Sequence, residues 1–282
     1  MSDTLRELIR RANVHLATRG IDTAALDARL LLQAVSGLRH EEIVAEPDLA
    51  VPPDVAVRFS SFIERRCKFE PVSRILGTRE FYGRSFRVTP DVLDPRADTE
   101  APIGAALALA GRKEPLRILD LGTGSGAIAV TLLAELPRAT VVATDISAAA
   151  LVVAKGNAEA LGVVGRAGFV QANWFDGVDG QFDQIISNPP YIPLGDIAGL
   201  AADVRDFDPA KALDGGPDGL EGYRRISSGA GGHLTPNGHV ILEIGAGQEN
   251  AVNELFRGQG FVRESRHFDL AGHVRCLVFN RP

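Results

Sequence analysis

Two cysteines, one tryptophan and one methionine in 282 residues already exclude several kinds of protein. Cys67 and Cys276 stand in no CxxC or Cys/His spacing, so no metal module or disulfide scaffold is implied, and the expectation is two reduced thiols in a cytoplasmic protein. Long apolar runs are missing too: none reaches the roughly 18 residues that a membrane-spanning helix needs. Residues 1–11 carry Asp3, Arg6, Glu7, Arg10 and Arg11 and lack the apolar centre of a signal peptide. There is no basic excess. Thirty Lys and Arg against 36 Asp and Glu give a formal charge of −6, which argues against stable nucleic-acid binding, since that needs a concentrated basic face. Internal repeats and low-complexity tracts are also absent. What is present is the composition of a globular chain, 45% hydrophobic and 23% charged, long enough for two domains.

Residues 2–76 read as a bundle of short helices. Leu5, Leu8, Ile9, Ala12 and Leu16 recur at helical spacing and Gly20 stops the run. A second helix, capped by Asp22 or Thr23, has Leu26, Leu30 and Leu31 as its apolar stripe and ends at Gly37. A brief third helix spans 40–45. Pro52 and Pro53 open a fourth, whose apolar face is Val57, Phe59, Phe62 and Ile63. Residues 77–88 then suggest a β-hairpin, and Asp98 or Thr99 is placed to cap a helix over 101–110. From 117 onward strands alternate with helices, the pattern of a parallel sheet covered on both faces. Strands are expected at 117–121, 140–144, 168–171, 182–187 and 239–244, with a final antiparallel pair at 261–267 and 274–280.

The unusual motifs all fall at the carboxyl ends of those strands, where a doubly wound sheet binds its ligands. Gly122, Gly124 and Gly126, with Thr123 and Ser125 between them, allow a sharp turn and a close approach of backbone to ligand. Their spacing is GxGxG, not GxGxxG, and Asp120 precedes them; a carboxylate there repels a pyrophosphate and suits an ammonium group. S-adenosylmethionine (SAM) carries such a group, though a glycine loop is compatible with a nucleotide as well. Asp145, about 20 residues on, can accept the hydroxyls of a ribose or cap a helix. Asn173 can bond an adenine edge with Trp174 beside the ring, or Trp174 can be a core residue. Asn188-Pro189-Pro190-Tyr191 closes the strand at 182–187. Two consecutive prolines supply no N–H and fix the chain, leaving the carbonyls of Asn188 and Pro189 as rigid acceptors beside an amide oxygen and a flat ring. The segment is either a clamp for an amino nitrogen or a simple turn.

Together, the 120–126 loop, Asp145 and Asn188-Pro189-Pro190-Tyr191 resemble class I SAM-dependent amino-methyltransferases. The helical N-terminal region, Gly77-Thr78-Arg79-Glu80-Phe81-Tyr82, Pro95-Arg96-Ala97-Asp98-Thr99-Glu100, and the segments Asp203-Val204-Arg205, Asp208-Pro209 and 212–220 narrow this to the PrmC/HemK family, the peptide chain release factor glutamine N5-methyltransferases. The resemblance implies an α/β fold, a doubly wound seven-stranded Rossmann-like sheet with a small N-terminal helical bundle. It implies a substrate-docking domain over 1–76, a hairpin linker over 77–93 and a SAM-dependent methyltransferase domain over 94–282. It also implies SAM as donor, held by Asp120, 122–126, Asp145, Asn173, Trp174 and Asn188. The acceptor is the glutamine of the release factor Gly-Gly-Gln loop, held by Asn188, Pro189, Pro190 and Tyr191. Related enzymes with this tetrapeptide methylate a ribosomal protein glutamine or the exocyclic amines of bases, which are the alternative acceptors. The sequence departs from the family pattern at Ala97, where proline is common, at Asp94, where an apolar residue is common, and at Asn173, where an acid is common; Asp208 keeps the usual charge.

Overall fold

The computed structural model describes residues 3–111, 115–269 and 271–281, so Ser2, the first residue of the expected bundle, lies outside the described ones. The chain divides into two compact units: Met1–Thr78 with Ala201–Phe207, and Arg79–Leu200 with Asp208–Pro282. Among the described residues no helix is long and apolar enough to cross a membrane. Cys67 and Cys276 are both buried free thiols.

The first unit holds helices α1 (Leu5–Thr18), α2 (Ala24–Ser36), α3 (His40–Ala45), α4 (Pro53–Arg66) and α5 (Val72–Leu76). Thr4 and Glu7 form a reciprocal capping box at the start of α1, satisfying two N–H groups that the helix itself cannot. The face of α2 is rotated from the expected one. Leu26 and Leu30 are exposed, while Ala24, Asp27, Ala28, Leu31, Leu32 and Val35 point inward. Asp27 can lie on that face because Arg66 of α4 meets its carboxylate at 2.7 Å and Thr23 donates to it at 2.9 Å; a buried charge needs such partners. Thr23 therefore stands at the N-cap without capping. Val57 of α4 is likewise exposed, and Val55, Phe59 and Ile63 form the buried face.

The second unit begins with strands β1 (Thr78–Phe81) and β2 (Arg84–Arg87), a hairpin turned by Tyr82 and Gly83, both at positive φ. Phe81 and Phe86 from this hairpin are buried in the core. Helix α6 (Glu100–Ala110) leads to β3 (Arg117–Leu121), α7 (Ala127–Glu135), β4 (Thr140–Asp145), α8 (Ala148–Ala160), β5 (Ala167–Gln171) and β6 (Phe182–Ser187). The short helix α9 (Ala202–Arg205) falls in the first unit, and the second continues with α10 (Ala210–Leu213), α11 (Glu221–His233), β7 (Leu234–Glu243), α12 (Glu249–Gly258), β8 (Val262–Phe268) and β9 (Val274–Asn280). The sequence reading assigns nothing to α12.

These seven strands form one sheet in the order β5-β4-β3-β6-β7-β9-β8, parallel from β5 to β7, with β9 antiparallel to both neighbours. Alternation along each strand splits the core in two. Ile118, Val141, Ile186 and Ile241 face one cluster with α6 and α7; Leu119, Ile185, Val240 and Leu242 face the other with α11 and α12. Both faces are covered, which is why the strands read as continuous apolar runs.

Candidate active site

The chain leaves β3 toward β4 and leaves β6 toward β7, on opposite sides, so a crevice opens between the carboxyl ends of β3 and β6. Register brings the motifs there to one level. Leu121 is the partner of Ser187, and Ser187 the partner of Leu242, so Gly122, Asn188 and Glu243 follow side by side. The Ser187 hydroxyl donates to the Leu121 carbonyl at 2.7 Å and locks that register.

On the β3 side, Gly122, Gly124 and Gly126 have φ of +72°, +54° and +81°. A Cβ built on Gly122 or Gly124 meets no atom within 4 Å, whereas one on Gly126 lies 3.1 Å from Ala154 Cβ of α8. The first two glycines therefore face the open crevice, and the third lets α8 close against the loop. Thr123 and Ser125 turn inward and are buried. Asp120 lies wholly buried beneath the loop, not on it. Its Oδ2 accepts the Thr123 hydroxyl at 2.6 Å, while among the described residues its Oδ1 has no hydrogen-bond partner within normal distance and angle. Burial pushes this carboxyl up to about 7, against the pull of Thr123 and of the Ala129 N–H at the start of α7; the Asp145 carboxylate raises it further. Asp145, at the end of β4, accepts the Gly124 N–H at 2.9 Å with Oδ2 and the Ser147 N–H at 2.9 Å with Oδ1. Ser147 caps α8 through Ala150 N–H, so Asp145 is not needed as the cap, and each of its oxygens retains a lone pair. After β5, Asn173 is exposed and Trp174, at φ +59°, is half-buried against the α11 cluster.

On the β6 side, the backbone of 189–192 is gripped by small residues. A Cβ on Gly222 of α11 falls 2.9 Å from Pro189 Cβ and 3.1 Å from the Trp174 ring. One on Gly215 falls 2.8 Å from the Cα atoms of Tyr191 and Gly219 and 2.9 Å from Pro190 O. Gly215 N–H also donates to Ile192 O at 2.9 Å. Gln248 completes the grip: its Nε2 donates to Tyr191 O at 3.0 Å and Gly219 O at 3.2 Å, and its Oε1 accepts from Gly245 N–H at 3.0 Å. Because the Gly215 neighbours are backbone atoms, Gly215→Ala is expected to displace the 189–192 segment and destabilise the protein by about 1 to 3 kcal/mol. Denaturant midpoints test this; an unchanged midpoint rules out the close approach.

Asn188 itself is held from behind. Its Nδ2 donates to the Thr99 hydroxyl at 3.2 Å, and that hydroxyl donates to Glu243 Oε2 at 2.7 Å. Thr99 thus stands at the N-cap of α6 but makes no side-chain cap, and Asp98 is occupied elsewhere, 3.2 Å from Arg275; the expected cap gives way to these tertiary bonds. Among the described residues, neither the Asn188 nor the Pro189 carbonyl receives a backbone hydrogen bond, as expected for a segment beyond the strand end. Burial above all, with the Glu243 carboxylate second, pushes the Tyr191 hydroxyl up to about 12, so it stays protonated at neutral pH. Asp208, buried, accepts Asp94 N–H at 3.2 Å and Arg96 Nη2 at 2.9 Å, tying the 94–99 loop beside the site. Glu243 and Gln248 are the residues that the sequence reading missed. A glutamate ending the apolar strand at 239–244, at the ligand-binding end of the sheet, is the signal that marks Glu243; Gln248 carries none.

Comparison with known proteins bears on this site. Residues 7–77 match the PrmC N-terminal domain and residues 103–199 the methyltransferase small domain. The chain is 46% identical over 277 residues to the release factor glutamine methyltransferase of Cereibacter sphaeroides, covering 98% of each chain. It is 42% identical over 280 residues to that of Moorella thermoacetica, covering 99% of each. Among solved structures, a methyltransferase from Pyrococcus furiosus superposes with a TM-score of 0.52 at 21% identity, over 71% of this chain and 89% of that one; this likeness concerns the fold.

Proposed function

The chain belongs to the release factor glutamine methyltransferase family, and from that premise we propose that it moves a methyl group from SAM to the glutamine side-chain nitrogen in the Gly-Gly-Gln loop of peptide chain release factors, in the cytoplasm. The observation that carries the reading is the common level of Gly122 and Asn188 at the crevice. It sets an adenosyl-binding loop beside a fixed set of acceptors for an NH2 group. The loop suits SAM on its own chemistry: Gly122 and Gly124 open toward the crevice, Asp145 retains lone pairs for two hydroxyls, and the buried Asp120 sets a negative field under a cationic ligand. When bound, SAM supplies an electrophilic methyl group on a sulfonium.

A glutamine amide is a poor nucleophile because its lone pair is delocalised into the carbonyl. In this reading the Asn188 side-chain oxygen and the Pro189 carbonyl each accept one amide N–H and aim the nitrogen, and Tyr191 packs on the amide plane. Tyr191, held protonated, is no general base, and Glu243 lies behind Thr99, so the chain's contribution is positioning and fixed dipoles. Well-oriented groups supply roughly 7 to 11 kcal/mol of barrier lowering. The net charge of −6 counts against a nucleic-acid acceptor. The helical unit at the N-terminus serves, in this proposal, to hold the protein acceptor.

Incubation with methyl-labelled SAM, a purified release factor, ribosomal large-subunit proteins and RNA is expected to label the release factor alone. Label should vanish when the Gly-Gly-Gln glutamine is replaced; label persisting in that variant, or appearing on another acceptor, overturns the assignment. A short Gly-Gly-Gln peptide is expected to show a much higher KM than the intact factor. Equal KM values count against docking outside the crevice.

A further inference from the structure

Asn188 can serve as a clamp in only one orientation. An Asn side chain carries an acceptor on one side and two donors on the other, and a half-turn about its terminal bond places N–H groups against the N–H groups of an incoming amide. The structure contains a device that settles which way it faces. Thr99, from the start of α6, and Glu243, from the end of β7, are 5% and 2% exposed and converge behind Asn188 from positions 89 and 55 residues away in sequence.

A hydroxyl has one proton. An ionised carboxylate only accepts, so Glu243 takes the Thr99 proton, and what Thr99 presents to Asn188 is a lone pair that only an N–H can meet. The polarity therefore runs Asn188 N–H to Thr99 O–H to Glu243 carboxylate, and Asn188 Oδ1 is left on the opposite side. We propose that Thr99 and Glu243 are positioning residues that orient the Asn188 amide, so that its oxygen and not its NH2 group meets the acceptor's N–H. This rests on the clamp reading given above. It also gives a reason for the bare N-cap of α6, since a hydroxyl donating to Glu243 and accepting from Asn188 is committed to both.

Three variants test it. Thr99→Val keeps the shape and removes the hydroxyl, and it is expected to lower kcat about 10- to 100-fold, the range of a mispositioned reacting group, with the SAM dissociation constant unchanged. Thr99→Ser restores the hydroxyl and is expected to return kcat to within a few-fold of the original. Glu243→Met removes the acceptor at similar volume, frees the Thr99 proton to bond Asn188 Oδ1 instead, and is expected to lower kcat comparably; it decides the matter if Thr99→Val does not fold. Normal kcat in Thr99→Val or Glu243→Met, or a Thr99→Ser variant as impaired as Thr99→Val, overturns the proposal. The two readings fail separately. If Asn188→Ala retains turnover, the clamp itself falls; if it is inactive while Thr99→Val and Glu243→Met turn over normally, the clamp stands and the positioning layer does not.

Discussion

Asn188→Ala is expected to lower kcat for methyl transfer by about 10²- to 10³-fold, the effect of removing one preorganised polar group from a reacting centre, while SAM still binds. The split follows from where Asn188 sits. The donor side of the crevice is built from β3 and β4, through the 122–126 loop and Asp145, whose carboxylate bonds Gly124 and Ser147 without help from β6. The acceptor side is built from the end of β6. There the sheet register fixes Ser187 against Leu121, and two prolines stiffen the chain beyond it. Alanine removes the Asn188 amide oxygen and leaves the Pro189 carbonyl to aim the nitrogen without it. Equilibrium SAM binding and single-turnover transfer to a release factor measure the two sides independently. Near-normal single-turnover rates in the variant refute the clamp, whatever happens to binding.

The parts of this site that were legible in the sequence are those whose cause is local. Strands β3, β6 and β9 lie where the reading put them, because each is a short apolar run bounded by a turn or motif, and backbone pairing leaves little choice of end point. The family resemblance, which implied the seven-stranded sheet, rests on motifs that are each short and local, at the ends of β3, β4 and β6. What could not be read depends on partners far away in the chain. The Leu-rich stretch of α2 fits more than one helical phase, and the phase adopted buries Asp27, which makes sense only once Arg66 of α4 meets it. Thr99 looks like a cap because the residues around it say so. Its hydroxyl goes instead to Glu243, 144 residues on, and no local rule anticipates that. Helix α12 buries only Val252 and Phe256, too thin a stripe to stand out between two glycine-rich turns.

The same buried carboxylates give the second large effect, on stability. Folding is expected to weaken as pH rises from about 4 to about 7. Asp120 and Glu243 are wholly or almost wholly buried, and both are pushed up to about 7, burial being the first cause in each case. Their ordinary values are 3.8 and 4.5. Between those values and about 7 the folded state holds protons that the unfolded state has released, so stability falls with rising pH across that window and levels off above it. At 1.36 kcal/mol per pKa unit, the full decline is about 4 kcal/mol for Asp120 and about 3 kcal/mol for Glu243. Asp269 acts in a separate window. Its carboxyl is pulled down to about 2, chiefly by the His273 N–H, and its stabilising contribution is lost only as pH falls through that value. Asp120→Asn removes one titration while keeping a side-chain oxygen for Thr123. Its thermal unfolding temperature is expected to exceed that of the unaltered protein at pH 8, with the gap narrowing as pH falls and closing by about pH 4. A pH-independent difference between the two proteins would show that Asp120 does not titrate in this range. Asp120→Asn is also expected to weaken SAM binding, since it removes the negative charge under the loop. A residue that destabilises the fold at working pH and is needed by the cationic ligand belongs to the class of sites where stability is given up for function. Glu243 belongs there for the same physical reason, because only its charged form fixes the direction of the Thr99 proton and so leaves the Asn188 oxygen facing the acceptor.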